Sequence, residues 1–134
     1  MTPGPADANG VVTLPSPWDL AETLGRLRRA FTARGLKLFA DLDQQAEARA
    51  AGADQPPIHL LLAGNPRAGA PVMAAVPTSG LDLPLKVLVW EAAPGQVRVS
   101  FNSTDYLAAR HGLAPELAQN LRGFEAVVAG ALAG

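Results

Sequence analysis

GNPRAGAPVMAAVPTSGLDLPLKVLVWE, residues 64–91, packs four elements into one segment. A Gly-Pro turn leads into a short apolar helix, a second turn around Thr78-Ser79-Gly80 follows, and a strongly apolar strand runs from Leu85 to Glu91. Asn65, Arg67, Asp82, Lys86 and Glu91 stand between these elements, where polar groups can face a ligand. The strand is apolar at consecutive positions, Val87-Leu88-Val89-Trp90, whereas a strand with one wet face alternates. The segment therefore belongs inside a sheet covered on both sides.

Upstream, Ile58 to Ala63 repeats that pattern with Leu60-Leu61-Leu62 and forms the third strand, entered through the stiff Gln55-Pro56-Pro57. Leu36 to Leu42 forms the second, with Leu36, Leu38, Ala40 and Leu42 on one face and Lys37, Phe39 and Asp41 on the other. Asp43 caps a short helix that ends at Gly52. Earlier still, Leu20, Leu24, Leu27 and Phe31 recur at helical spacing and place one apolar stripe on a long helix ended by Gly35. Ser16 reads as its N-cap, with Pro17 at the first helical position and Asp19 reaching back. Val11, Val12 and Leu14 make a first strand, and residues 1–8, rich in proline and glycine, read as a tail.

Downstream, Ala93-Pro94-Gly95-Gln96 turns the chain into a fifth strand, Val97 to Asn102. Ser103 or Asn102 caps a short helix closed by Gly112, and Pro115 starts a last helix carrying Leu117, Leu121, Phe124, Val128 and Ala131 on one side. The order predicts one α+β domain over residues 9–134: a largely antiparallel sheet of about five strands with two long helices on one face.

Composition narrows the chemistry. The 134 residues include no cysteine, which excludes disulfides, thiol nucleophiles and thiolate metal sites. A net charge of −1 supplies no bulk attraction to nucleic acid, and Arg26, Arg28, Arg29 and Arg34 are interleaved with acidic neighbours. No apolar run approaches the roughly 20 residues that span a bilayer, and the first ten residues lack a secretory pattern. A cytoplasmic protein without nucleic-acid or membrane partners is expected. His59 and His111 are the only histidines and share no metal-ligand spacing, so no metal or other cofactor is expected. His111 beside Arg110 suits the C-terminal end of a helix dipole. Gly64 to Gly69 looks like a phosphate loop, but Ala70-Pro71 stand where lysine and a hydroxyl are required. A weaker anion site remains open there, with Gly69 starting a helix near Arg67.

Several of these stretches together resemble a known family. Ala63-Gly64-Asn65-Pro66 with Gly69, Leu83 through Glu91, Tyr106-Leu107 and Arg110-His111 are similar to a widespread prokaryotic family known only as domain of unknown function 302. Ser16-Pro17 and Leu42-Asp43 fit as well, and the similarity covers roughly residues 9–134. The resemblance implies a β-α-β4-α fold of the TATA-box-binding-protein type and a compact dimer, and it implies no activity. The family commonly has a histidine where this chain has Gln44, so no role of that histidine carries over.

Two functions are expected from these residues. In the first, the chain is a homodimeric module that binds a small molecule, an anion among the candidates, near the Gly64–Glu91 loops. Asp43, Asn65, Arg67, Asp82, Lys86, Arg110 and His111 are its candidate contacts. In the second, Asp43, Asn65, Lys86 and His111 converge in one cleft as a metal-independent acid-base enzyme. The homodimer follows from the two-sided apolar strands: helices cover one face only, and each exposed Leu or Val forgoes roughly 1.5–3 kcal/mol. A two-fold interface of about 1,000 Å² or more would cover the other face.

Overall fold

A computed structural model of the chain describes residues 6–133, so the first five residues of the expected tail lie outside it. The elements are β1 (Val11–Pro15), α1 (Leu20–Ala33), β2 (Lys37–Asp43), α2 (Gln44–Ala50), β3 (Ile58–Gly64), α3 (Pro66–Ala75), a 3₁₀ turn (Pro77–Leu81), β4 (Leu85–Glu91), β5 (Val97–Asn102), α4 (Thr104–His111) and α5 (Pro115–Leu132). The five strands form one antiparallel sheet in the order β1-β5-β4-β3-β2. This is the α+β layout expected from the sequence.

Strand alternation explains where the core lies. Leu61 and Ala63 of β3, Val87 and Val89 of β4, and Val97 and Val99 of β5 point to one side. There they meet Leu24, Leu27 and Phe31 of α1 and Phe124, Val128 and Leu132 of α5. Phe31 and Phe124 stack with ring centroids 5.6 Å apart and planes 14° from parallel, joining the two helices at the centre. The opposite face carries Leu60, Leu62, Leu88 and Trp90, all half-buried. Trp90 Nε1 donates to Ser100 Oγ at 3.0 Å, and that hydroxyl also meets Thr13 Oγ1 at 2.8 Å, so three strands are cross-linked on this side.

Two local expectations are corrected. Asp19, not Ser16, caps α1: its carboxylate accepts from Glu22 N at 2.8 Å. Ser16 is held outside the helix, accepting from Trp18 N at 3.2 Å and meeting Thr23 Oγ1 at 2.7 Å. A carboxylate two residues past the proline wins the cap because the chain is still extended there, with ψ of 175°. Asp19→Ala should therefore lower stability by about 1 kcal/mol, read as a shift in the urea midpoint, while Ser16→Ala leaves the helix boundary in place.

The second correction concerns β2. Its register shifts between Leu38 and Ala40, so Leu38 pairs with Ala63 while Ala40 pairs with Leu62. The extra residue, Phe39, moves the two onto different faces and breaks the expected alternation. β2 is an edge strand, and Leu38, Phe39 and Leu42 are each about two-fifths exposed. A bulge is one way an edge resists pairing with another sheet.

At the far edge, β1 is held at its start. Asp7 accepts from Asn9 N and Val11 N, forming a turn in what reads from sequence as tail, and Ser103 N donates to Gly10 O at 2.8 Å. Gly10 has φ 80° and lies against the Tyr106 ring, leaving no room for a Cβ.

Candidate functional site

The chain leaves β3 at Gly64 and turns directly into α3. Asn65, in an extended conformation, accepts from Arg67 N at 3.0 Å, and Pro66 occupies the first helical position. Gly69 therefore lies inside α3 and does not open it, contrary to the sequence expectation. α3 crosses toward α5 and stops at Val76, and the chain returns to the sheet through Asp82 and a cis Leu83–Pro84 bond.

Between α3 and α5 this path encloses a cleft of about 570 Å³. Gly64–Pro66, Ala68–Ala70, Met73 and Leu83–Leu85 form one wall. Asn120, Leu121, Gly123, Phe124 and Val127 of α5 form the other, and Arg34, Leu36 and Phe39 close the side next to β2. The lining is mostly apolar, with Arg34, Asn65 and Asn120 as its polar side chains. Asn120 Nδ2 donates to Ala68 O at 3.2 Å and bridges the two helices. Small residues keep the space open: a Cβ added at Gly123 would meet nothing within 4 Å. The size falls in the range of small-molecule sites, and an apolar lining with few polar groups is their usual chemistry.

A second cluster lies beside this cleft. Asp82, nearly buried, accepts from both Arg110 and His111: Nη1 of Arg110 lies 3.0 Å from Oδ2, and Nε2 of His111 lies 2.5 Å from the same oxygen. The His111 side chain is also buried, and it fastens α4 to the turn before β4. Three of the candidate contacts thus meet, and they meet each other. Leu83, the next residue after Asp82, belongs to the cleft wall, so the cluster positions that wall without lining the cavity.

The other candidates stand apart. Asp43 caps α2 by accepting from Ala46 N at 2.9 Å and pairs with His59, whereas Gly64 at the cleft pairs with Lys37 at the opposite end of the same strand pair. Lys86 alternates with Val87 and so lies on the face away from the helices, opposite Leu62. It forms no ion pair among the described residues. Arg67 is exposed and does not line the cleft. Glu91 accepts from Gly95 N in the β4–β5 hairpin. Asp43, Asn65, Lys86 and His111 therefore do not share one cleft, and the acid-base arrangement expected of them is absent. Among the described residues no three His, Asp or Glu side chains gather to hold a metal ion.

One further cluster has a measurable consequence. Asp41 of β2 accepts from Arg28 Nε at 2.8 Å and from His59 Nε2. Burial raises the Asp41 carboxyl, but the hydrogen bonds and charges of Arg28 and His59 outweigh it and hold it below the usual carboxylate value. A carboxyl lowered on folding stabilises the fold above its unfolded value, and that contribution disappears as pH falls through the folded one. Melting temperature should therefore fall more steeply below about pH 4 in the natural protein than in Asp41→Asn. Equal slopes in the two would show that the Asp41 cluster does not couple to folding.

Arg34, Gly123 and Asn120 escaped sequence reading because they come from helices far from residues 64–91. One signal was available: Gly123, like Gly130, interrupts a helix-forming stretch, Leu121 through Ala131, and such a glycine has a packing or spatial reason.

Residues 12–129 match the family described as domain of unknown function DUF302. A fluoride-specific ion channel, FluC 1, of Brucella suis biovar 1 is 38% identical over 105 residues, 78% of this chain and 41% of that protein. FluC 1 of Brucella abortus biovar 1 is also 38% identical over 105 residues, covering 39% of its length. The chain thus spans about two-fifths of these relatives, and no helix among its described residues is long and apolar enough to cross a membrane. The crystal structure of an uncharacterized conserved DUF302 protein from Bacillus stearothermophilus superposes with a TM-score of 0.78, covering 93% of this chain and 97% of that one at 21% identity. That likeness establishes the fold.

Proposed function

The chain belongs to the DUF302 family of unknown function, and from that premise we propose that it is a small cytoplasmic module, working as a homodimer, that holds a small ligand in the α3–α5 cleft. The observation that carries this reading is the cleft itself: about 570 Å³, mostly apolar, and walled largely by the Gly64–Leu85 part of the chain. It needs no catalytic group, and none of the clustered titratable side chains lines it. A thermal-shift screen of small amphiphilic compounds tests it. A ligand present at a hundred times its dissociation constant stabilises the fold by about 2.7 kcal/mol, a clear rise in melting temperature. A flat response across charged and neutral apolar compounds would remove the proposal.

The homodimer rests on the sheet face without helices. Leu60, Leu62, Leu88 and Trp90 form a continuous half-buried apolar strip across β3 and β4. A second copy covering it would satisfy that surface with one self-complementary interface. Light scattering at micromolar concentration should give a dimer mass, and Leu88→Glu should give a monomer with retained circular dichroism. A monomeric natural chain would exclude the interface.

The Brucella relatives favour a second reading, in which this module accompanies a fluoride channel as its non-spanning partner. Fluoride would then act on the module directly. A fluoride titration followed by amide NMR shifts supports this if signals around the cleft move, and rejects it if none move.

A further inference from the structure

Resting on the cleft as a ligand site, we infer that its ligand is an amphipathic monoanion: a compact apolar body between α3 and α5, with one carboxylate at Arg34. Arg34 is the charged residue among those lining the cleft, and the lining contains no carboxylate. Arg34, Arg49, Arg67 and Arg98 form no ion pair among the described residues, and of these four Arg34 alone lines the cleft. It follows the last turn of α1, whose end carries about half a negative charge; that suits a cation there but leaves a full positive charge only partly offset. The other polar lining groups are two asparagines, each using one side-chain atom within the fold. Asn65 caps α3, and Asn120 bridges to Ala68. Arg34 is exposed, so water solvates its guanidinium when the cleft is empty; a carboxylate head gains a modest ion pair there that a neutral head lacks, and a cationic head is repelled.

The body of the ligand is set by the walls. Asn120, Gly123, Phe124 and Val127 follow one another at helical spacing along the cleft side of α5, and the open space at Gly123 lies in the middle of that stripe. Filling it would exclude a ligand without demanding that the helix move. Gly123 has no left-handed backbone requirement, so a side chain there also favours the helix.

Calorimetric titration with hexanoate, octanoate, octanol and octylammonium tests the inference. Octanoate should bind roughly fifteenfold tighter than hexanoate, about fourfold for each added methylene. It should bind about threefold to fivefold tighter than octanol, the size expected for an exposed charge pair, and octylammonium should be weakest. Arg34→Gln should erase the preference for octanoate over octanol. Gly123→Leu should abolish binding of all the probes while melting no lower than the natural protein. Should that variant fail to fold, shifts of the Met73 and Val127 methyl signals on adding octanoate to the natural chain locate the probe directly. If octanol and octanoate bind equally, and Arg34→Gln changes neither, the acid is wrong while the ligand cleft stands. If none of the probes binds, or the Met73 and Val127 signals stay fixed, the inference and the cleft reading fall together.

Discussion

Phe31→Ala should cost about 3–5 kcal/mol of stability, the largest single effect expected in this chain. Phe31 is 1% exposed and sits where α1, α5 and the sheet meet. Truncation removes its own burial and the stacking partner of Phe124, leaving a void that the flanking valines of rigid strands cannot close. At this chain length the melting temperature should fall by roughly 10–20 °C. Phe124 also lines the ligand cleft, so its unsupported ring would be free to drop into the void. Loss of probe binding is then expected even at temperatures where the variant remains folded. Urea unfolding checks the first part: a loss below about 1.5 kcal/mol would mean that the helices repack around the gap.

Asp82→Ala should follow at about 3 kcal/mol. Two donors, from Arg110 and His111, depend on this one carboxylate, and His111 is almost wholly buried. Removing the acceptor leaves a buried imidazole without its partner and a guanidinium without its pair, which costs more than the interaction itself contributes. The Asp82→Ala, His111→Ala double variant separates the terms: its loss should be clearly smaller than the sum of the single losses, because the orphaned group is then gone. Strict additivity would show that the two residues act independently. Loosening of the adjacent Leu83–Leu85 wall should appear as faster amide exchange there than in β5.

The fold was legible where one element's own pattern is sufficient. The boundaries of β4 and β5 were readable because apolar runs there end at Gly and Pro turns, and the α1 stripe from Leu24 to Phe31 kept its helical spacing. The N-cap of α1 was misread because Ser16, Asp19 and Pro17 all satisfy the local rules, and the choice depends on where the backbone leaves the extended region. β2 was misread because a bulge adds a residue without altering composition. The site divides in the same way. Residues 64–85 could be recognised as a wall, since turns and polar interruptions mark them. Arg34, Asn120 and Gly123 could not be joined to that wall before the crossing of α5 over α3 was known, and Asp82 with His111 looked like a contact surface because pairing across 29 positions leaves no local trace.

The place of β1 in the sheet governs the order in which the protein can assemble. β2, β3 and β4 each pair with the next strand along the chain, over far shorter connections than β1 needs. β1 pairs only with β5, and Thr13 meets Ser100 across 87 positions, which is among the costliest contacts to form early. During synthesis β1 must wait, edge unpaired, until β5 has followed it, those 87 positions later. A circular permutant with new termini in the turn between β1 and α1 would bring β1 into the chain after α5 while leaving β2 to β5 in their present order, so that no strand waits for a distant partner. Such a permutant should refold faster than the natural order while keeping the same sheet, so the speed of folding and the stability of the fold are here set by different parts of the same topology.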